Sequence, residues 1–473
     1  MTVKLRRILE AQRKAFHNEA LVSSETRIDR LDRCIALIVD HKDELCATVD
    51  RDFGCRSRHV TQMNDIFPSL ATLKFVRKNL KKWMQPERRR SPFPMGLLGA
   101  RSEIHYQPKG VVGIMSPWNV PVNMVFSPLA DVLGAGNRAM VKPSEYNPHT
   151  VELLQKLFTD YFEETEVAII SGDASIGAAF AALPLDHLMF TGSTAVGKQV
   201  MKAAAENLTP VTLELGGKSP VVVSDSADIS EAAEKIMTIK AMNAGQVCIS
   251  PDYCFVPRAK LERFVNDCRV VVLEQYPTVA DNPDFVSMVN DRNFDRVMDY
   301  IEDAREKDGT IEVLGPEGQN PADGNHRKIP VHLIVKPSND MAVMQEELFG
   351  PVLCVKPYDS IDECIEFISG RPHPLALYYI GEDDDEKDRF IAETTSGGMC
   401  INDLAIHFAC DDLPFGGIGP SGMGHYHGRE GFRTFSHARS VFLQGPLNLP
   451  KLSGTLPPYG DKVDRLLTHM IKR

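Results

Sequence analysis

The chain has 473 residues, too many for one ordinary core, so two or three domains are expected. Its 43% hydrophobic and 25% charged residues are those of a soluble globular protein, and no apolar run reaches the length of a membrane span. With 53 basic against 64 acidic side chains the formal charge is −11, which argues against nucleic acid as a partner.

At the N-terminus Lys4, Arg6 and Arg7 interrupt the little apolar sequence there is, so no secretory leader is expected. The first ~85 residues predict helices. Ile28, Leu31, Ile35 and Ile38 recur at the spacing of a buried stripe, and Leu45 and Val49 extend it. The basic run from Lys74 to Arg90 reads as a solvated helix face and its exit. Pro86, Pro92, Pro94, Gly96 and Gly99 then mark an irregular passage. After it, Ser102–Gln107 alternates polar and apolar like a strand on an exposed ribbon.

From Val111 onward short β-branched runs alternate with helical stretches. The runs are Val111–Met115, Ala139–Val141, Val167–Ile170, His187–Phe190 and Val211–Leu213. Between them lie His149–Phe158, Ser175–Ala182 and Ala195–Ala205. This alternation predicts a parallel sheet covered by helices on both faces. A second αβ series starts near Ser219–Val223 and runs to about Asp412. Pro414-Phe415-Gly416-Gly417 turns the chain into a Gly-rich loop, and Thr434–Leu443 reads as a final strand. Beyond Pro446, residues Val463, Leu466, Leu467, Met470 and Ile471 share one helical stripe. Packing on the body or on a partner suits that stripe better than membrane contact.

The ten cysteines include no Cys-x-x-Cys pair and no disulfide framework, which points to a reducing, cytoplasmic compartment and mostly structural thiols. His425-x-His427 has no further ligand at metal-binding spacing, so no metal is expected. One thiol stands apart. Cys248 follows a small, flexible Ala244-Gly245 step in Asn243–Ser250 and precedes Pro251, which ends any regular element. A lone Cys is more often a buried filler, so this context needs support from elsewhere.

That support lies upstream. Glu214 ends an apolar strand and is followed by Gly216-Gly217, which let the backbone turn and leave the carboxylate facing open space. A surface Glu at a strand end is the plainer alternative. Asn119 is held between Pro117 and Pro121, a setting for an amide that must keep one direction, or for an ordinary turn. Gly192-Ser193-Thr194-Ala195-Val196-Gly197 follows a strand and opens a helix, where backbone N–H groups can meet a phosphate. It lacks the second Gly of the dinucleotide fingerprint, so alone it is a weak signal. Lys142-Pro143-Ser144-Glu145 puts a cation and an acceptor where a ribose could be gripped.

Together these stretches, with Trp118, Glu346–Pro351 and Pro414–Gly417, resemble the aldehyde dehydrogenase superfamily over nearly the whole chain and in the family's order. The 34 residues from Glu214 to Cys248 fit that pattern. Within it, Thr194–Gly197, Ser250–Tyr253 and Leu413–Gly428 resemble the class-3-like branch and its coniferyl aldehyde dehydrogenases. The resemblance implies an α/β fold with a doubly wound cofactor domain, an αβ catalytic domain and a bridging β-ribbon. The implied boundaries are 1–90 and 109–216 for NAD(P), 217–430 for catalysis, 91–108 and 431–445 for the ribbon, and 446–473 for a tail.

It further implies Cys248 as nucleophile, Glu214 as the base that activates water, and Asn119 as an oxyanion donor. For the cofactor it implies Trp118, Lys142, Glu145, Gly192, Ser193, Gly197, Glu347 and Phe349, with NAD preferred and NADP as the alternative. The substrate would be an aromatic or α,β-unsaturated aldehyde such as coniferaldehyde, oxidised to its carboxylic acid, and the assembly a homodimer. Many superfamily members carry a Lys nine residues after this Asn; here it is Pro128, which the class-3-like branch shares, so a different proton exit is expected. Competing readings are an aliphatic aldehyde dehydrogenase, a non-catalytic binding protein on the same scaffold, and a thiol esterase that needs no cofactor.

Overall fold

The computed structural model describes residues 2–19, 21–316, 318 and 326–472. A long helix, Ser24–Phe53, dominates the N-terminal part. Ser23 Oγ caps it by accepting from Thr26 N at 3.1 Å, and Gly54, at φ 82°, ends it in the left-handed region that glycine tolerates. Leu31, Ile38, Leu45 and Val49 are fully buried, whereas Ile28 and Ile35 sit half-buried at the edge of the stripe. Phe67–Trp83 forms a second helix, with exposed ion pairs Arg77–Asp32 and Lys81–Glu25 along its basic face. Such exposed pairs add little stability. The exit of the basic run is not loop, however. Glu87–Arg89 is a strand that pairs with Ile104–Ser102.

Three sheets organise the chain. The first has six strands in the order Gly422–Met423, Val211–Leu215, His187–Gly192, Val111–Met115, Arg138–Lys142 and Val167–Ile169. All neighbours are parallel except the distant Gly422–Met423, which lies antiparallel with Gly422 opposite Glu214. Strand order reverses between Val111–Met115 and His187–Gly192, and a crevice opens beyond the carboxyl ends of strands at such a point. The second sheet runs Thr310–Leu314, Val331–Val335, Val352–Tyr358, Tyr253–Pro257, Pro220–Val223, Ala376–Ile380 and Gly398–Ile401. Its inner strands Val331–Val335, Tyr253–Pro257, Pro220–Val223 and Ala376–Ile380 are buried on both faces, as parallel sheets under helices require, whereas the edge strand Thr310–Leu314 is antiparallel and partly exposed. The helix Asn123–Gly134 is buried along its whole length.

The third sheet is a ribbon. Arg101–Pro108 pairs antiparallel with Ser436–Leu443, from Pro108 opposite Ser436 to Arg101 opposite Leu443. Three features depart from the sequence expectation. Glu87–Arg89 joins the ribbon ahead of residue 91, Thr434 closes the helix Gly428–Thr434 instead of starting the last strand, and Gly422–Met423 returns to the first sheet. The tail forms the helices Leu449–Ser453 and Asp461–Met470, and Leu466, Leu467, Met470 and Ile471 of its apolar stripe stay exposed on the single chain. Of that stripe only Val463 is half-buried, so on the single chain it does not pack onto the body. Among the described residues no helix is long and apolar enough to cross a membrane.

Candidate active site

Cys248 is positioned by an unusual turn. The helix Ile229–Ala241 ends, and Asn243, Ala244 and Gly245 follow at φ 52°, 51° and 70°, three successive left-handed residues. Asn tolerates this region, while Ala there costs roughly 1–2 kcal/mol. At Gly245 a side chain is excluded outright, because a Cβ would collide with the carbonyl oxygen of Gly350. The step expected to be flexible is thus tied down. Gln246 Nε2 donates to Asn243 O at 2.9 Å and to Ser287 O at 3.1 Å, and its Oε1 accepts from Val289 N at 3.0 Å. Tyr378 Oη donates to Ile249 O at 2.6 Å just beyond the cysteine.

Glu214 and Asn119 meet this loop from the first sheet. Glu214 is 2% exposed, with its carboxyl against the Cys248 thiol and Oε1 without a hydrogen-bond partner. Asn119, also buried, lies just past the carboxyl end of Val111–Met115, and its Nδ2 donates to Gln246 O at 3.1 Å. Burial pushes the Glu214 carboxyl up to about 8, with the nearby Glu347 carboxylate adding to the rise. Burial also holds the Cys248 thiol well above its ordinary range, and the Glu214 and Glu347 carboxylates raise it further. The resting pair is therefore a protonated thiol beside a carboxyl poised near neutrality, the range in which a general base works best.

Glu347 is brought here by Lys218. The Lys218 ammonium pairs with Asp252 and donates to Val343 O at 2.8 Å and Glu346 O at 2.9 Å. Asp252 Oδ2 in turn accepts from Leu348 N at 3.0 Å. The Glu347 carboxylate then rests over Gly216, where any Cβ would collide with it, and burial raises its carboxyl to about 8. Phe349 meets Trp118 edge-on with ring centroids 5.3 Å apart.

Two connected cavities result. The inner one, about 510 Å³, is lined by Cys248, Glu214, Asn119, Glu347 and Phe349, and its walls include the apolar side chains of Met63, Phe67, Met124 and Phe408. The outer one, about 1390 Å³, is lined by Lys142, Glu145 and Ser193. Trp118, Gly192 and Ser193 border both. Lys142 Nζ lies 2.8 Å from Glu145 Oε2, and Ser193 Oγ caps the helix Thr194–Ala205 by accepting from Val196 N at 3.4 Å. That helix N-terminus and the cation–acceptor pair suit the phosphate and ribose of a dinucleotide, so the residues present fit the cofactor. Gly197 is the exception among the expected cofactor residues. It lines neither cavity, and a Cβ there would stand 2.6 Å from Leu215 Cδ2, so its place is to let helix and strand pack closely.

Of the side chains that build the site, Gln246, Asn243, Lys218 and Tyr378 carried no recognisable role in the sequence. Asn243, Gln246 and Lys218 at least stand within or beside the stretches that flag the cysteine and the glutamate.

The sequence profile described as "Aldehyde dehydrogenase family" matches residues 2–441. A Caulobacter vibrioides protein named "Probable coniferyl aldehyde dehydrogenase" is 48% identical over 98% of this chain and 96% of its own. The "Coniferyl aldehyde dehydrogenase" of a Pseudomonas species is 46% identical over 98% and 95%. Among solved structures, the substrate-bound state of Staphylococcus aureus AldH superposes with a TM-score of 0.91 at 34% identity, covering 98% of this chain and 99% of that one. A full-length match of profile, sequence and fold around one cysteine cleft leads to a single assignment: this chain belongs to the aldehyde dehydrogenase family.

Proposed function

We propose that the protein oxidises an aromatic or α,β-unsaturated aldehyde of the coniferaldehyde kind to its carboxylic acid, with NAD as hydride acceptor and NADP as the alternative. The observation that carries this reading is the convergence of the Cys248 thiol, the Glu214 carboxyl and the Asn119 amide on one cavity that opens into a dinucleotide-sized cleft. The division of labour that goes with it gives 1–90 and 109–216 to the cofactor and 217–430 to catalysis. Residues 91–108 and 431–445 bridge them, and 446–473 remain as a tail.

Each step follows from the side chains. Cys248 gives up its proton to solvent and Sγ bonds to the aldehyde carbon, because the thiolate is the nucleophilic form. The carbonyl oxygen becomes an oxyanion. We assign the second amide N–H of Asn119 and the backbone N–H of Cys248 as its fixed donors. The nicotinamide, when bound, supplies the acceptor for the hydride that the thiohemiacetal carbon releases. What remains on Cys248 is a thioester, which the thiol alone cannot hydrolyse. Glu214 takes a proton from water, whose oxygen adds to the thioester carbon, and the acid leaves as Sγ is regenerated. Lys142 and Glu145 hold the ribose, Ser193 and Gly192 the pyrophosphate, and Glu347 and Phe349 the nicotinamide end. A carboxylate beside the ribose hydroxyls repels a 2′-phosphate, which is why NAD ranks first.

The substrate class rests on the apolar inner cavity and on the names of the two relatives. A ring with a conjugated side chain buries ~100 Å² more apolar surface than acetaldehyde, and at ~25 cal/mol per Å² this is about 2.5 kcal/mol, or roughly seventyfold. Part of that energy can lower the barrier, so the comparison belongs in kcat/KM. NADH absorbance with coniferaldehyde, a long straight-chain aldehyde and acetaldehyde, at saturating NAD, is expected to favour the first. Equal or better efficiency with the aliphatic substrates would assign the site to them instead, and a parallel run with NADP ranks the cofactors.

The same reading places the enzyme as a homodimer in the cytoplasm. Ser436–Leu443 is an open strand edge, which natural proteins cover, and a second copy of this ribbon does so. Light scattering is expected to give twice the chain mass, and a monomer at micromolar concentration would overturn it. All ten cysteines are unpaired, which suits a reducing compartment. Recovery of the chain from a secreted or membrane fraction would count against the cytoplasm.

A further inference from the structure

The residues between the helices Ser24–Phe53 and Phe67–Trp83 hold a buried ion pair that no motif announces. Arg56 and Asp65 are both fully shielded from solvent, with Nη2 and Oδ2 2.6 Å apart. Asp65 lies in a π-helical turn, Gln62–Ile66, and such wide turns recur at functional sites. Here the turn divides its residues. Met63 and Asn64 face the inner cavity, while Asp65 points into the protein.

Both members of the pair reach the segment that carries Asn119. Asp65 Oδ1 accepts from Val122 N at 2.9 Å and from Asn123 N at 3.2 Å. These N–H groups open the helix Asn123–Gly134, whose own N-cap residue, Val122, offers no capping side chain. Asp65 therefore caps that helix from a distant part of the chain. Arg56 Nη1 donates to Asn119 O at 2.9 Å, beside Asn243 Nδ2 at 3.1 Å. Arg56 is itself anchored, since its backbone N–H donates to Asp50 Oδ1 at 2.7 Å and its guanidinium lies 4.8 Å over the Phe53 ring. The stretch from Asn119 to Asn123 is thus gripped at both ends by one ion pair, while the Asn119 amide reaches forward to Gln246 O.

Stability does not explain such an arrangement. Taking two charges out of water costs several kcal/mol per ion, and well-packed apolar residues of the same volume are often as stable or more so. Burial works against both charges here, lowering the Arg56 pKa and raising that of Asp65. What the pair supplies, and an apolar pair could not, is direction: a planar fork that binds a carboxylate and a carbonyl at once.

We propose that Arg56 and Asp65 are positioning residues that hold the Asn119 amide at the oxyanion of the Cys248 adduct. This rests on the oxyanion role given to Asn119 above. The clamp fixes the Asn119 backbone from behind, so the side-chain amide meets the developing charge without reorganising during the reaction.

The test is a double-mutant cycle on the full-length enzyme, using Arg56→Lys, Asn119→Ala and the two combined, with folding checked by circular dichroism and thermal melting. Asn119→Ala is expected to slow the burst of NADH formation by ~100–1,000-fold. Arg56→Lys retains the charge but lacks the fork, and is expected to slow the burst by roughly 10–100-fold, with little change in aldehyde KM or in NAD affinity read from Trp118 fluorescence. Cofactor-independent hydrolysis of 4-nitrophenyl acetate, which also passes through an oxyanion on Cys248, should fall in parallel. In the Asn119→Ala background Arg56→Lys should cost nothing more, because the group it positions is gone. Multiplicative losses in the double variant, or a loss that appears in NAD affinity, would overturn the proposal and leave the pair a structural element. An Asn119→Ala enzyme with undiminished burst would instead remove the oxyanion reading itself. Where Arg56→Lys does not fold, Asp65→Asn, isosteric and still able to accept from Val122 and Asn123, is read by the same criteria.

Discussion

Replacing Cys248 by alanine is expected to abolish aldehyde oxidation, by roughly 10⁴-fold or more, since a lost nucleophile removes the covalent route altogether. The chain offers no substitute thiol. Seven of the other nine cysteines are buried, and neither half-buried Cys55 nor exposed Cys410 lines the cavity. NAD binding should survive, because the outer cavity is lined by other residues. Trp118 borders both cavities and is one of only two tryptophans, so quenching of its fluorescence by NAD separates loss of chemistry from loss of fold. Substantial oxidation by a folded Cys248→Ala protein would remove this cysteine from the mechanism.

Glu214→Gln should show a different defect. If Glu214 serves water activation, the first half of the cycle persists, and one equivalent of NADH per site should appear in a burst. Turnover after it is expected to fall by ~100–10,000-fold, the usual contribution of a general base. The pH dependence gives a second readout. The active form of Glu214 is the carboxylate, and burial, reinforced by Glu347, raises its pKa to about 8. The proton is therefore held below that pH and lost above it, so steady-state turnover limited by hydrolysis should rise with pH through about 8. The Glu214→Gln variant should lose that limb. A variant with no burst would move Glu214 to an earlier step, such as deprotonation of the Cys248 thiol it touches.

Much of the fold around this site is legible in the amino-acid sequence alone. Strands such as Val111–Met115 and Val211–Leu215 were readable because a strand buried on both faces is a short β-branched run, a property of adjacent residues. Cys248, Glu214 and Asn119 stood out because glycines and prolines next to them dictate local backbone directions, which also need no distant partner. Other features depended on contacts between distant segments. Gly422–Met423 reads as loop, and it is a strand only because Val211–Leu215 offers it an edge beside Glu214. Glu87–Arg89, three charged residues, is likewise made a strand by Arg101–Pro108. Gly197 resembles a phosphate-binding glycine in sequence, whereas the structure sets Leu215 against it. Asn243 and Ala244 adopt left-handed angles that their sequence does not request, and the hydrogen bonds of the neighbouring loop hold them there. No motif marks Arg56 or Asp65 in the sequence. Residue type and periodicity report whether a position is buried or turns, but not which remote group it meets. The pairing of edges, the closing of buried charges on each other and the aim of the Asn119 amide were therefore decided by the tertiary structure alone.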